Sequence, residues 1–281
     1  MKEQTIPEAS IVVGVDGSEG ATRALNWAAK LAQLQRRPLV LLHAGASRDS
    51  TLLLQMCLEA AKQAAPDVAV LLVDTDAKPA ETLAALSSKT TLLVLGWHHG
   101  GALRNAFVGS TAVAVARRAA CPMVVVHRPV QGAVERRSVV VGVIGDEPAT
   151  RSLDFAYQHA SWTGAPLTVL HCFWDVTQKV GIIRDLSSAP REHRLLAEAV
   201  AGLSERYPDV PVRLQLAHGF SDRLMSDAAQ RAGLVVLSSD HTSPLRELVF
   251  GSLPRTVLAH ATCDVAVIPE APRSSSTAVT A

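Results

Sequence analysis

VVGVDG, residues Val12 to Gly17, is an unbroken apolar run that stops on an acid and a glycine, and the chain writes it twice. The second copy is VVGVIG, Val140 to Gly145, 128 positions on; the same offset carries RPLVLLH onto APLTVLH and His43 onto His171. Farther along, PDV at Pro66 recurs at Pro208 and Gly109-Ser110 recurs as Gly251-Ser252, now 142 positions apart. The change of offset places one insertion of 14 residues between His171 and Pro208, within FWDVTQKVGIIRDLSSAPREHR, which reads as an extended loop leading into a helix. Repetition at a fixed period settles the domain plan before any motif does. Residues 1–130 and 138–271 form two equivalent domains, 131–137 (QGAVERR) is the polar linker, and 272–281 is a low-hydrophobicity tail expected to be disordered.

Within each copy, short apolar runs alternate with helical patterns, the mark of an α/β fold in which crossover helices link parallel strands. Strands are expected near 11–15, 39–43, 68–73, 92–95 and 123–127, then near 139–143, 167–171, 212–216, 234–237 and 265–268. Their Val/Leu runs are continuous, as strands covered on both faces require. After the first strand, Ala21, Ala24, Leu25, Ala28 and Ala32 share one helical face, with Ser18 as the cap and Pro38 beyond the end. The second copy places Asp146 as cap, Pro148 near the first turn and Gly164 at the close, ahead of Pro166.

Composition narrows the function classes. With 48% hydrophobic and 19% charged residues, both copies have material for a core. A net charge of +1 offers no electrostatic basis for binding nucleic acid or an anionic membrane surface. MKEQTIPEAS lacks a basic-then-apolar leader, and no apolar run nears the roughly 20 residues of a membrane helix, so a cytoplasmic protein is expected. Cys57, Cys121, Cys172 and Cys263 follow no metal spacing and read as reduced, mostly buried thiols.

In an open parallel sheet, ligands collect at the carboxyl ends of the strands, where the strand order reverses. Three segments end there: Asp16-Gly17-Ser18, His43-Ala44-Gly45, and Gly96 through Ser110. Glycines let backbone N–H groups approach an anion, and a helix starting at Gly109-Ser110-Thr111 points its free N–H groups to the same place, so phosphate is the natural occupant. Neither common phosphate fingerprint is present. Each residue also has a structural role open to it. Asp16 suits a turn, Ser110 a helix cap, and His43, repeated as His171, a buried structural histidine. Arg104 and Arg246 recur too, fit for a salt bridge in both copies or for a phosphate at Arg104. The neighbouring His98 and His99 lack the clustered ligands of a metal site, and no metal is expected.

VVGVDGS (Val12 to Ser18), the pattern G-W-H-H-x9-G-S-T (Gly96 to Thr111), the following ACPMVVVHRP and the closing A-x-C-D-V-A-V-I-P together resemble the universal stress protein family in its tandem two-domain form. The resemblance spans nearly the whole chain. It implies two tandem, open, five-stranded parallel sheets of strand order 3-2-1-4-5 with helices on both faces. In members with the motif G-x-x-G-x9-G-[ST] it further implies bound ATP, with Mg where the phosphates carry it. The adenine would lie near the ends of the first two strands, at Val15 and at His43-Ala44, with the phosphates over the glycine turn. Asp16, with Gly17 and Ser18, matches the acidic first loop, Gly96 the first motif glycine, and Gly109, Ser110 and Thr111 the last group. His98 stands where relatives place a polar residue toward ribose or phosphate. His99 replaces the second glycine, with Gly100 and Gly101 directly after it.

The second copy departs further: Ile144 replaces the acid, Ser238 the first glycine and His241 the second, and Pro244 stiffens the loop. This half is expected to bind ATP poorly or not at all. Three readings stand: a nucleotide-binding, stress-response regulator; a degenerate scaffold that binds no nucleotide; and a slow ATPase. No nucleophile and base stand together, which favours binding over turnover. The closing strands PMVVVHRP and VAVIPE would leave open edges, which the family resemblance pairs with each other or with a second chain. A pseudo-dimeric chain, and a homodimer through those strands, are expected.

Overall fold

The computed structural model describes residues 6–97, 110–127, 138–144, 149–173, 180–183, 189–239 and 252–270. The first copy runs β1 (Ile11–Gly14), α1 (Glu19–Gln35), β2 (Leu39–Ala44), α2 (Ser50–Ala64), β3 (Val70–Thr75), α3 (Pro79–Leu86), β4 (Leu92–Gly96), α4 (Ser110–Ala116) and β5 (Met123–Val126). The second runs β6 (Val139–Ile144), α5 (Thr150–Thr163), β7 (Leu167–Phe173), β8 (Gly181–Ile183), α6 (Pro190–Arg206), β9 (Val212–His218), α7 (Ser221–Ala229), β10 (Leu234–Ser239), α8 (Ser252–His260) and β11 (Asp264–Pro269). Every expected strand is present within two or three residues.

All the strands join one sheet of order β3-β2-β1-β4-β5-β11-β10-β6-β7-β9-β8. Read from the outer edge toward the middle, and leaving β8 aside, each copy keeps the order 3-2-1-4-5. The strands within each copy are parallel, β8 excepted, and the copies meet at β5 and β11, which run antiparallel with Val265 opposite Val125 and Val267 opposite Met123. The closing edges are therefore satisfied inside one chain. This corrects the expectation of a homodimer through these strands: their backbone groups are already taken, and the pseudo-dimer stands in its place. A second correction concerns the insertion, read as loop. Its Gly181–Ile183 forms β8, which lies antiparallel against β9.

The period of two along each strand divides the core. Ile11, Val13, Leu39 and Leu41 face α1 and α2, in a cluster that continues across the seam to Leu153 of α5 and Leu196 of α6. Val12, Val40 and Leu42 face the other way, to a cluster holding Leu83 of α3, Val115 of α4, Met225 of α7 and Val257 of α8. α1 starts as its sequence requires: Ser18 Oγ accepts from Ala21 N at 3.0 Å, and Ala24, Leu25, Ala28 and Ala32 are buried. α5 differs from its expected start. Its N-cap is Ala149, with no side-chain bond; Asp146 and Pro148 lie outside the described residues. Its first turn is held instead from the end of β11. Glu270 Oε1 accepts from Ser152 N and Oγ at 2.9 and 2.7 Å, and Oε2 accepts from Arg151 N at 3.1 Å. A carboxylate there satisfies free helix N–H groups and opposes the helix dipole favourably.

Candidate functional site

A cavity of about 170 Å3 opens at the carboxyl ends of β1, β2 and β4. Its floor is apolar, made by Val15, Leu42, Leu83, Leu95 and Ala112, and its rim carries Asp16, Ser18, Ser110 and Thr111. Ala44 and Gly96 complete the wall on two sides. Of the residues singled out in the sequence, Val15, Asp16, Ser18, Ala44, Gly96, Ser110 and Thr111 thus converge on one place. Gly17 and His43 are not among its lining residues. His98, His99, Gly100, Gly101 and Gly109 lie outside the described residues, as do Arg104, His241, Pro244 and Arg246.

Local chemistry explains these positions. Asp16 Oδ1 accepts from Ser18 N at 3.0 Å, closing the turn that Gly17 enters with φ of 81°, a left-handed conformation that favours glycine. Asp16 is exposed on the rim while doing so. Gly96 is a glycine for a steric reason: a Cβ there would lie 2.1 Å from the carbonyl carbon of Gly20, and one on Gly20 would lie 2.8 Å from the oxygen of Trp97. The first turn of α1 and the end of β4 touch backbone to backbone, and Gly20 is the partner that sequence reading did not single out. Also missed were the floor residues Leu42, Leu83 and Leu95, whose only signal was membership of ordinary apolar runs.

His43 points away from the cavity, to the α2 side of the sheet. Its Nδ1 lies 2.9 Å from Asp74 Oδ1, and Ser50 Oγ donates to Asp74 Oδ2 at 2.6 Å. The Ser50 and His43 hydrogen bonds hold the Asp74 carboxyl below its ordinary range. This is the structural alternative for His43, and its copy His171 is also buried beside an acid, with Nε2 3.0 Å from Glu192 Oε2.

At the counterpart mouth of the second copy, the positions of Asp16, Ala44, Leu83 and Gly96 hold Ile144, Cys172, Met225 and Ser238. Met225 and Cys172 are buried, and a Cβ on Gly142 would meet Met225 Sδ at 2.9 Å. Burial pushes the Cys172 thiol up to about 12, leaving it protonated and inert. All four cysteines are free thiols. Among the described residues no group of three His, Cys, Asp or Glu is placed to hold a metal ion, and no helix is long and apolar enough to cross a membrane.

The model of the universal stress protein family matches residues 9–56, 45–127 and 135–269, covering both copies. The chain belongs to the universal stress protein family. A universal stress protein of Mycolicibacterium smegmatis is 30% identical over 293 residues, spanning 94% of this chain and 98% of the relative. One from Mycobacterium tuberculosis strain H37Rv is 29% identical over 284 residues, spanning 92% and 96%. Among solved structures, a universal stress protein from Archaeoglobus fulgidus superposes with a TM-score of 0.69 over 93% of this chain and 96% of its own, at 13% identity, a likeness of fold. These full-length matches make the doubled domain a property shared with relatives.

Proposed function

We propose that this universal stress protein binds ATP, with magnesium, in its N-terminal copy, and that it serves in the cytoplasm as a nucleotide-responsive regulator. The observation that carries the reading is the cavity itself, where an apolar floor and a polar rim meet at the strand-order reversal. The floor of Val15, Leu42 and Leu83 suits a flat heteroaromatic ring. Asp16, an acceptor when ionised, suits a ring amine or a sugar hydroxyl. Ser110 and Thr111, at the start of α4, lie on the side where phosphates would run. Asp16 is the one acid among the described lining residues, so magnesium would be held mainly by the phosphates. His98, His99, Gly100, Gly101 and Gly109 enter the proposal from the sequence alone. The second copy, with Ile144 in place of the acid and Ser238 in place of the first glycine, serves in this reading as a nucleotide-free partner.

The test is the melting temperature of nucleotide-free protein with and without millimolar Mg-ATP. Ligand at a hundred times its Kd stabilises the native state by about 2.7 kcal/mol, a rise of several degrees for a chain of this size. Asp16→Asn keeps an oxygen for Ser18 N and removes the charge, so it should lower the ATP-induced shift while leaving the ligand-free melting temperature near that of the parent. Gly109→Ala should lower the shift as well. No shift in the parent protein leaves the scaffold reading in its place.

A further inference from the structure

His127 follows β5 at the seam and is 3% exposed. Its ring stacks on that of Trp97, with centroids 5.0 Å apart and planes inclined by 22°. Trp97 comes directly after Gly96 of the cavity wall, its oxygen abuts Gly20, and it shares a buried cluster with Ala112, Val115 and Ala116 of α4, the helix whose first residues form the rim. On its other side His127 reaches the second copy. Nε2 lies 2.9 Å from the carbonyl oxygen of Leu258 in α8, and the backbone N–H donates to Asp264 Oδ1 at 3.0 Å. Nδ1 lies 3.2 Å from the carbonyl oxygen of Val125.

Carbonyl oxygens accept and never donate, so each ring nitrogen bonds its carbonyl only when it carries a proton. A neutral imidazole carries one such proton and an imidazolium carries two. The protonated ring therefore ties Val125 and Leu258 together, and deprotonation releases one of them. Among the described residues the charged group in contact with it is Asp264 on β11, whose carboxyl is in turn faced from α1 by Arg23 and the indole of Trp27. At the counterpart position the second copy has Pro269, which has no ring proton to give, so the link acts on the first copy alone.

We propose that His127 is a positioning residue: through Trp97 it couples the wall of the N-terminal cavity to α8 of the C-terminal copy, and the coupling tightens when its ring is protonated. The inference rests on the nucleotide reading above and assigns that site a regulator.

The experiment measures Mg-ATP affinity of the full chain across the range where histidine titrates, about pH 5 to 8. The parent, His127→Phe and His127→Gln are compared, with Asp264→Asn as a background in which the neighbouring carboxyl no longer titrates. The expected result is a parent affinity that falls about five- to tenfold as pH rises, the worth of one net hydrogen bond. His127→Phe, which keeps a ring against Trp97, should be weak and flat across pH. His127→Gln, which restores one donor, should recover affinity yet stay flat. A parent-like slope in either variant, or a flat parent, overturns the proposal. If the parent binds no nucleotide, the function proposed above fails by itself, and His127 is read instead through Trp97 fluorescence, the difference between the parent and Trp97→Phe. Imidazolium quenching of that signal on acidification, abolished by His127→Phe, supports the seam link; its absence overturns it.

Discussion

The two copies hold the same histidine with acids taken from different elements. In the first, His43 of β2 bonds Asp74 on the neighbouring strand, and Ser50 of α2 supports that acid from the other side. In the second, the strand position of Asp74 holds Leu216, the helix position of Ser50 holds Glu192, and His171 bonds that glutamate through its other ring nitrogen. The carboxylate has moved from strand to helix while the buried imidazole kept a partner. The constraint shared by the copies is a carboxylate partner for one nitrogen of the buried ring, and the element that supplies the acid is free. The mouths diverge in the opposite sense. There the first copy has Ala44, Gly96 and the exposed Asp16 around its cavity, and the second has Cys172, Ser238 and Ile144 at the matching positions. What folding needs is met in both copies by compensation, whereas the residues that line the first cavity are replaced in the second.

The largest expected effect strikes the glycine contact that only the first copy needs. In Gly96→Ala the new Cβ would sit 2.1 Å from Gly20 backbone, where no flexible side chain can move aside. α1 must then separate from β4, and a loss of about 3 kcal/mol or more is expected, at or beyond the upper end of ordinary overpacking. Chemical denaturation measures it. Ser238→Ala at the matching position should change stability by less than about 1 kcal/mol. Equal losses at both positions would break the claim that the copies differ here.

Met225 offers the reverse substitution. Met225→Ala deletes a fully buried side chain beneath the second mouth and should cost about 2–5 kcal/mol. Under the comparison above it opens space without restoring an acid at Ile144, so Mg-ATP should raise the variant's melting temperature by no more than it raises the parent's. An ATP-induced shift larger than the parent's would show that the bulk of Met225 alone silenced the second copy.

Most of this architecture was legible in the sequence because continuous Val/Leu runs, the doubled VVGV segment and the turn glycines act locally and leave local marks. The ends of β1, β2 and β4 were placed, and with them Asp16, Ala44 and Gly96. Three kinds of feature left no such mark. β8 is three residues that form a strand only because β9 offers an open edge. Glu270 caps a helix 118 positions away in sequence from Ser152, a distance no capping pattern spans. Gly96 and His43 carried motif and mouth positions, but the direction in which each faces is set by α1 and α2 packing on the sheet, so a phosphate glycine and a helix-contact glycine look alike in one dimension.

A pH effect separates the helices α1 and α5. His159 of α5 lies in the seam, stacked on Trp27 of α1 at 5.7 Å with rings nearly parallel, and its Nδ1 is buried without a hydrogen-bond partner. The matching position of α1 is Leu31. Desolvation lowers the His159 pKa to about 4. The folded state thus favours the neutral ring: its contribution is complete above the unfolded value of about 6.5 and is lost as pH falls through 4. His159→Leu should flatten that acid limb, a difference on the order of 2–3 kcal/mol between pH 7 and pH 4. Asp264 acts oppositely, its pKa raised to about 7 chiefly by burial, so its contribution is present at low pH and lost as pH rises through 7. The His159 effect is accordingly read in an Asp264→Asn background, by urea denaturation at each pH. An unchanged acid limb in His159→Leu would place the sensitivity elsewhere.

The smallest expected effect lies where the two helices end. α1 closes on Arg36 at φ of 51°, and α5 closes on Gly164 at φ of 62°; both residues are left-handed and both donate N–H to carbonyls of the last turn. A residue with a Cβ pays about 1–2 kcal/mol for that conformation, and a glycine does not. Glycine loses more chain entropy on folding, so the two terms partly cancel. Arg36→Gly should stabilise the chain by about 0.5–1 kcal/mol, a rise of a degree or two in melting temperature. Gly164→Arg should cost a similar amount, because nothing lies within 4 Å of the Cβ it would gain and the backbone angle is then the sole difference. If the two substitutions fail to mirror each other in sign, the helix ends are held by something other than the shared left-handed turn, and their equivalence across the copies is one of shape alone.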